Sequence, residues 1–405
     1  MRYILLLCSL FMVFSCSKNT TKTLQKGQWR ATLAVQDSLF LPFIFEVKND
    51  SVLSIFNADE VIAVDEVFYK NDSVIIQTPV FEGYIKAKIE SDSTLLGHYI
   101  KPQLDRVVPF KAKYGNADRF EAKTVDAFNV TGQWETTFSP DTDKASKAKG
   151  IFTQQGQKVT GTFRTTTGDY RFLEGIVDGS TLKLSTFDGA HAYLFTAEVT
   201  DSTLSGMFYS GNHFKEPFVA KRNETFQLAD ADTLTFLKPG YDKLSFAFPD
   251  EHGNIISLND EQFKNKVVIV QLMGTWCPNC LDETKYFVEY LKTHPNQNLA
   301  FVGLAFEYAK TDEQAFKSIS RLKERLGIPY PILLAQTGST SKKTAQEKLP
   351  MLNHVLSYPT AIYIDASGNV RKIHTGFNGP ATGEMYTEYK REFESFISEL
   401  LAEKN

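Results

Sequence analysis

The run Val267-Val268-Ile269-Val270-Gln271-Leu272-Met273-Gly274-Thr275-Trp276-Cys277-Pro278-Asn279-Cys280 decides how the C-terminal part of the chain is read. Its opening residues are almost continuously apolar, the pattern of a strand buried on both faces. Asn279 to about Thr293 then reads as a helix, stopped at His294-Pro295 because the residue before a proline is pushed out of the helical region. Two cysteines three positions apart at a strand-to-helix junction point to a redox dithiol. The first sulfur falls at the helix N-terminus, whose partial positive charge favours the thiolate. The spacing sets the second sulfur on the same helical face, within reach for ring closure. Pro278 suits the first turn, where its missing N–H has no helical partner to lose. Zinc would need two more soft ligands, yet there is no second C-x-x-C and the 7 His are scattered singly. No metal is expected, and no cofactor beyond the dithiol itself.

Outward from this run the pattern alternates strand and helix. Leu299–Leu304 is a second buried strand, and Thr311-Asp312-Glu313-Gln314 is a capping box opening a helix whose apolar face is Phe316, Ile319, Leu322 and Leu326. Thr360–Ile364 is a further strand, and the turn Asp365–Asn369 leads to another near Val370–His374. Met385, Tyr389, Phe393, Phe396, Ile397 and Leu400 lay an apolar stripe on a final helix.

Taken together, residues 240–405 resemble the TlpA/ResA-like membrane-anchored thioredoxins of the bacterial envelope. Phe246-Ala247-Phe248-Pro249, Gly253-Asn254 and Ser257-Leu258 look like that family's opening hairpin, and Phe263–Val268 like the lead into its central strand. Gly274–Cys280 matches the active-site turn, Glu283 the acid three residues beyond it, and Tyr358-Pro359-Thr360 the cis-proline segment. The resemblance implies an α/β thioredoxin-like domain with thiol–disulfide oxidoreductase activity. It makes Cys277 the nucleophile and Cys280 the resolving thiol. Pro359, in the cis form, would face the pair, with Trp276, Pro278, Tyr358 and Thr360 against the substrate. Glu283, one turn from Cys280, would relay its proton; its other reading is an exposed acid near the start of a helix. The sequence departs from the pattern at Gln271, where ordinary thioredoxin carries an acid, so no carboxylate is expected at that position. It departs again at Met273, at Lys285, and in the Pro278-Asn279 dipeptide.

Residues 27–223 read differently, as short strands broken by Asn-Asp and Asp-Gly turns with no helical stripe, which suits tandem β-barrel or sandwich modules. Gly27-Gln28-Trp29 recurs as Gly132-Gln133-Trp134. Asp92-Ser93-Thr94-Leu95 recurs as Asp201-Ser202-Thr203-Leu204, and Pro109-Phe110 recurs as Pro217-Phe218. Three ordered matches at a long, nearly constant offset indicate duplication of a small β domain rather than a solenoid. The expected modules are 27–115 and 130–223, of roughly eight strands each, with one larger shared barrel or sandwich left open. The Gly-x-Trp opening resembles the start of a lipocalin-type barrel. A linker over 224–239 precedes the α/β domain.

Met1-Arg2 and the apolar Tyr3–Phe14 have the length of a signal-peptide core, too short to span a bilayer. Ser15-Cys16 at its end resembles a bacterial lipoprotein signal. That implies cleavage of residues 1–15, lipidation of Cys16 and a tether over 16–26. Of 4 Cys, only Cys277 and Cys280 would then keep free thiols, in a compartment where disulfides persist. The 405 residues carry 44 basic and 48 acidic side chains, with no basic domain or stripe, so no nucleic-acid partner is expected. The expected whole is a lipid-anchored reductase of the periplasm or cell envelope, acting on protein disulfides and rereduced by a membrane electron donor. An oxidase or isomerase is the alternative within the same chemistry. A ligand- or partner-binding lipoprotein, led by the β modules, is the alternative outside it.

Overall fold

The computed structural model describes residues 22–115, 117–124 and 127–403. The signal segment, Cys16 and most of the tether lie outside the described residues. The end of the tether is not a free polar arm: Leu24 is buried in the first β module.

That module is a sheet of nine antiparallel strands, from Gly27–Ala34 to Arg106–Tyr114, with the last strand pairing back on the first. The second module runs from Gly132–Phe138 to Phe214–Arg222 and also counts nine strands. Eight of these pair in sequence order and close into an up-and-down barrel; the ninth is the two-residue Gly168–Asp169. The copies are therefore separate sheets rather than one shared barrel. Their repeat is visible in detail. Trp29 and Trp134 are both fully buried, and each indole N–H donates to the carbonyl four residues back, Gln25 and Val130, at 2.9 Å.

The first module has a seam, bridged from outside the module. Strands Glu60–Val64 and Val67–Lys70 are consecutive yet unpaired. The two residues between them, Asp65 and Glu66, are held by Arg325 and Arg321 of the C-terminal helix Asp312–Leu326.

The C-terminal part is a five-stranded sheet. Its order is Ile332–Gln336, Leu299–Phe306, Val267–Met273, Thr360–Ile364 and Val370–Thr375, the first three parallel and the last two antiparallel. Val267–Met273 is central and buried at every position, Gln271 included, as its almost continuously apolar run requires. Helices Pro278–Thr293 and Glu384–Ala402 pack together through Phe287 and Phe393, whose rings stack at 5.4 Å. The segment 224–239 is not a loose linker. Its short helix Ala231–Leu234 lies on the last strand, where Asp232 meets His374 at 2.7 Å. Among the described residues no helix is long and apolar enough to cross a membrane.

Candidate active site

Cys277 caps the helix Pro278–Thr293, directly after the central strand. The cysteines are joined as a disulfide with Cα atoms 5.2 Å apart. The Cys280 N–H donates to Cys277 Sγ at 3.1 Å, so an unsatisfied helix-terminal donor points at this sulfur. The two sulfurs are unequal: Cys277 is 6% exposed and Cys280 is not exposed at all. An incoming group therefore meets Cys277 first.

The Tyr358–Pro359 peptide is cis, and Cys277 Sγ lies 3.5 Å from the Tyr358 carbonyl oxygen. Trp276 anchors the turn by donating its indole N–H to Phe306 O at 2.9 Å, and its ring meets Tyr358 edge-on. Pro278 is buried at the first helical position, and Thr360 is buried with its hydroxyl on Ser357 O. Trp276, Cys277, Pro278 and the segment from Tyr358 to Thr360 are thus brought together around one sulfur.

Glu283 sits beneath them and is fully buried, which removes the reading as an exposed acid. Its carboxylate accepts from Gln271 Nε2 at 2.8 Å and from the Tyr389 hydroxyl at 3.1 Å. Gln271 Nε2 also lies 3.4 Å from Cys280 O. A buried carboxyl therefore stands beside Gln271 after all, supplied by the helix instead of the strand. Burial pushes the Glu283 carboxyl up to about 8, against the hydrogen bonds from Gln271 and Tyr389. As pH rises from the usual carboxylate range toward 8, the unfolded chain gives up this proton while the folded chain keeps it. Stability accordingly falls over that window. Glu283→Gln is expected to remove the slope. The variant should gain on the wild type by on the order of 3 kcal/mol between about pH 5 and about pH 8 in urea denaturation. Parallel pH profiles would contradict this.

A second buried acid was not singled out in the sequence. Glu307 follows the buried strand Leu299–Phe306 and accepts from the Thr275 N–H at 2.7 Å and the Thr275 hydroxyl at 2.8 Å. Burial pushes its carboxyl up to about 7, opposed by the Thr275 hydrogen bonds and reinforced by Glu82 of the first module. The signal was available: a Glu directly ends a continuous apolar run. Among the described residues no group of three or more His, Cys, Asp or Glu is placed to hold a metal ion.

Comparison with known proteins bears on this C-terminal part alone. A model of the Redoxin family matches residues 238–388. Thiol-disulfide oxidoreductase ResA of Geobacillus kaustophilus is 26% identical over 131 residues, covering 32% of this chain and 66% of the relative. Thiol:disulfide interchange protein DsbE of Escherichia coli is 30% identical over 134 residues, covering 32% of this chain and 63% of the relative. The chain thus spans a little under two thirds of the length of these two proteins. A solved thiol:disulfide interchange protein of the thioredoxin family from Chlorobium tepidum is 25% identical, with 40% of this chain and 95% of that one covered at a TM-score of 0.30. Residues 238–388, with their dithiol at the end of the central strand, match the Redoxin family model and are similar to the thiol–disulfide oxidoreductases ResA and DsbE.

Proposed function

We propose that the chain is an envelope-anchored disulfide reductase of exported proteins. The observation that carries the chemistry is the asymmetry of the pair: a sulfur at the helix N-terminus within reach of an incoming group, and a second one buried behind it. Reduced Cys277, as thiolate, attacks one sulfur of a substrate disulfide. The substrate S–S bond breaks, a mixed disulfide forms, and the leaving thiolate takes a proton from solvent. Cys280 then attacks Cys277 Sγ, the mixed disulfide breaks, and the second substrate thiol departs. The substrate gains two electrons and the enzyme pair loses them. Glu283 is assigned the proton of Cys280, because a carboxyl pushed up to about 8 is close to a thiol in proton affinity. Pro359 and Tyr358 position the incoming sulfur, with Trp276, Pro278 and Thr360 completing the surface. A membrane donor returns the electrons, and lipid on Cys16 holds the protein at the membrane.

Replacing Cys280 with serine tests the order of attack. The Cys280→Ser chain should accumulate mixed disulfides with oxidised protein substrates, released by dithiothreitol and absent when Cys277 is also replaced. Failure to trap any adduct, or equal trapping by a Cys277→Ser chain, would remove Cys277 from the nucleophile's role.

A further inference from the structure

The second β module reaches the dithiol with one hairpin. Strand Lys158–Thr165 turns through Thr166-Thr167 into Gly168–Asp169, and this tip lies against three segments that surround Cys277. On the active-site turn, Asn279 Nδ2 donates to Asp169 O at 3.2 Å. Ahead of the cis-proline, the Ser357 hydroxyl donates to Thr167 O at 2.9 Å. After the last strand, Gly379 N–H donates to Asp169 Oδ2 at 2.8 Å, and Arg164 Nε donates to Asn378 Oδ1 at 2.9 Å. The approach is close enough that a Cβ on Gly376 would sit 2.8 Å from the Thr167 carbonyl carbon. On the other side, Val80 and Phe81 of the first module pack into the C-terminal core, and Trp276 faces a cleft of about 440 Å³ shared with Glu82 and Gln103.

Cys277 Sγ lies 3.5 Å from Tyr358 O, so any chain presenting a sulfur to it must run between the active-site turn and the Ser357–Pro359 segment. The hairpin is bonded to both flanks of that path, through its own main-chain carbonyls at Asp169 to Asn279 and at Thr167 to Ser357. We propose that the hairpin Thr165–Asp169 is the specificity-determining element of the site: low-molecular-weight disulfides reach Cys277 past it, and protein disulfides are admitted only by displacing it. This rests on the thiol–disulfide reading for its chemistry, but the cover is testable without turnover.

The test uses the full chain with Cys8→Ser and Cys16→Ser, so that Cys277 and Cys280 are the only thiols. Cys277 of the reduced protein is alkylated by iodoacetamide and, separately, by a maleimide carrying a polyethylene-glycol chain. Reduction of glutathione disulfide and of insulin is followed alongside. Two variants loosen the cover by substitutions in the hairpin alone. Gly168→Val drives a side chain into Asn279, and Asp169→Ala removes the acceptor of Gly379 N–H. Loss of one such hydrogen bond predicts that the bulky maleimide and insulin rates rise by roughly fivefold in at least one variant. The iodoacetamide and glutathione rates should stay within about twofold under the same argument. Equal access of small and bulky reagents in the wild type, or an unchanged ratio in both variants, would overturn the proposal. If alkylation follows the expected pattern while no form reduces either disulfide, the cover stands and the reductase reading falls.

Discussion

Replacing Cys277 with serine is expected to lower thiol–disulfide exchange by at least about a thousandfold, since a hydroxyl at this position is neither ionised near neutral pH nor a partner for sulfur. The fold should not object. Cys277 contributes a small, almost buried side chain, and the helix start retains Pro278 at its first position and a side-chain acceptor for the Cys280 N–H. Loss of activity with unchanged unfolding would place the defect in chemistry. Loss of both together would mean that the disulfide matters chiefly as a brace. A chain that kept its biological role with serine here would instead belong to the binding class, with the β modules leading.

The largest stability effect is expected at Arg171, two residues after the hairpin. Its buried guanidinium ties three parts of the molecule together. Nη2 meets Glu60 of the first module at 2.8 Å, Nε lies 3.3 Å from Asp188 of its own module, and Nη1 pairs with Asp282 on the active-site helix. Asp169 is close by and also buried. Burial pushes the Glu60 and Asp169 carboxyls up, and the Arg171 charge holds them down in part. Arg171→Ala leaves these acids facing one another without their cation, a change that typically costs about 3–5 kcal/mol. The sign with pH follows from linkage. Without the arginine the carboxyls bind protons more readily in the folded state than in the unfolded one, so the penalty grows as pH rises through their unfolded range. Urea denaturation at about pH 5 and about pH 8 should show the larger loss at the higher value. A loss that is equal at both, or under about 1 kcal/mol, would show that the cluster is solvated rather than sealed.

The dithiol and its strand–turn–helix setting were legible because they are local: an apolar run, a proline at the first turn and two cysteines one turn apart lie within fourteen residues. The duplication was legible from repeated turn and tryptophan motifs, and the strand count came within one per copy. Glu283 was legible as a candidate but not as a buried group. Helical spacing held the clue, because Cys280, Glu283, Phe287 and Tyr290 fall on one face and the other three are buried. Arg171, Glu307 and the hairpin at Thr165–Asp169 were not legible. Their roles come from contacts across 32 to 214 positions of sequence, set by how the barrels dock and not by any local pattern. The contacts at the seam of the first module were hidden for the same reason, since Asp65 and Glu66 read as an ordinary acidic turn until Arg321 and Arg325 arrive from the C-terminal helix.

The reduction potential of the Cys277/Cys280 pair, measured in a defined thiol buffer on the chain without residues 1–15, tests the reductase reading most directly. A value near or below about −270 mV, the thioredoxin end of the scale, is the predicted result. A value near about −120 mV would make the pair a disulfide donor and contradict a reductase.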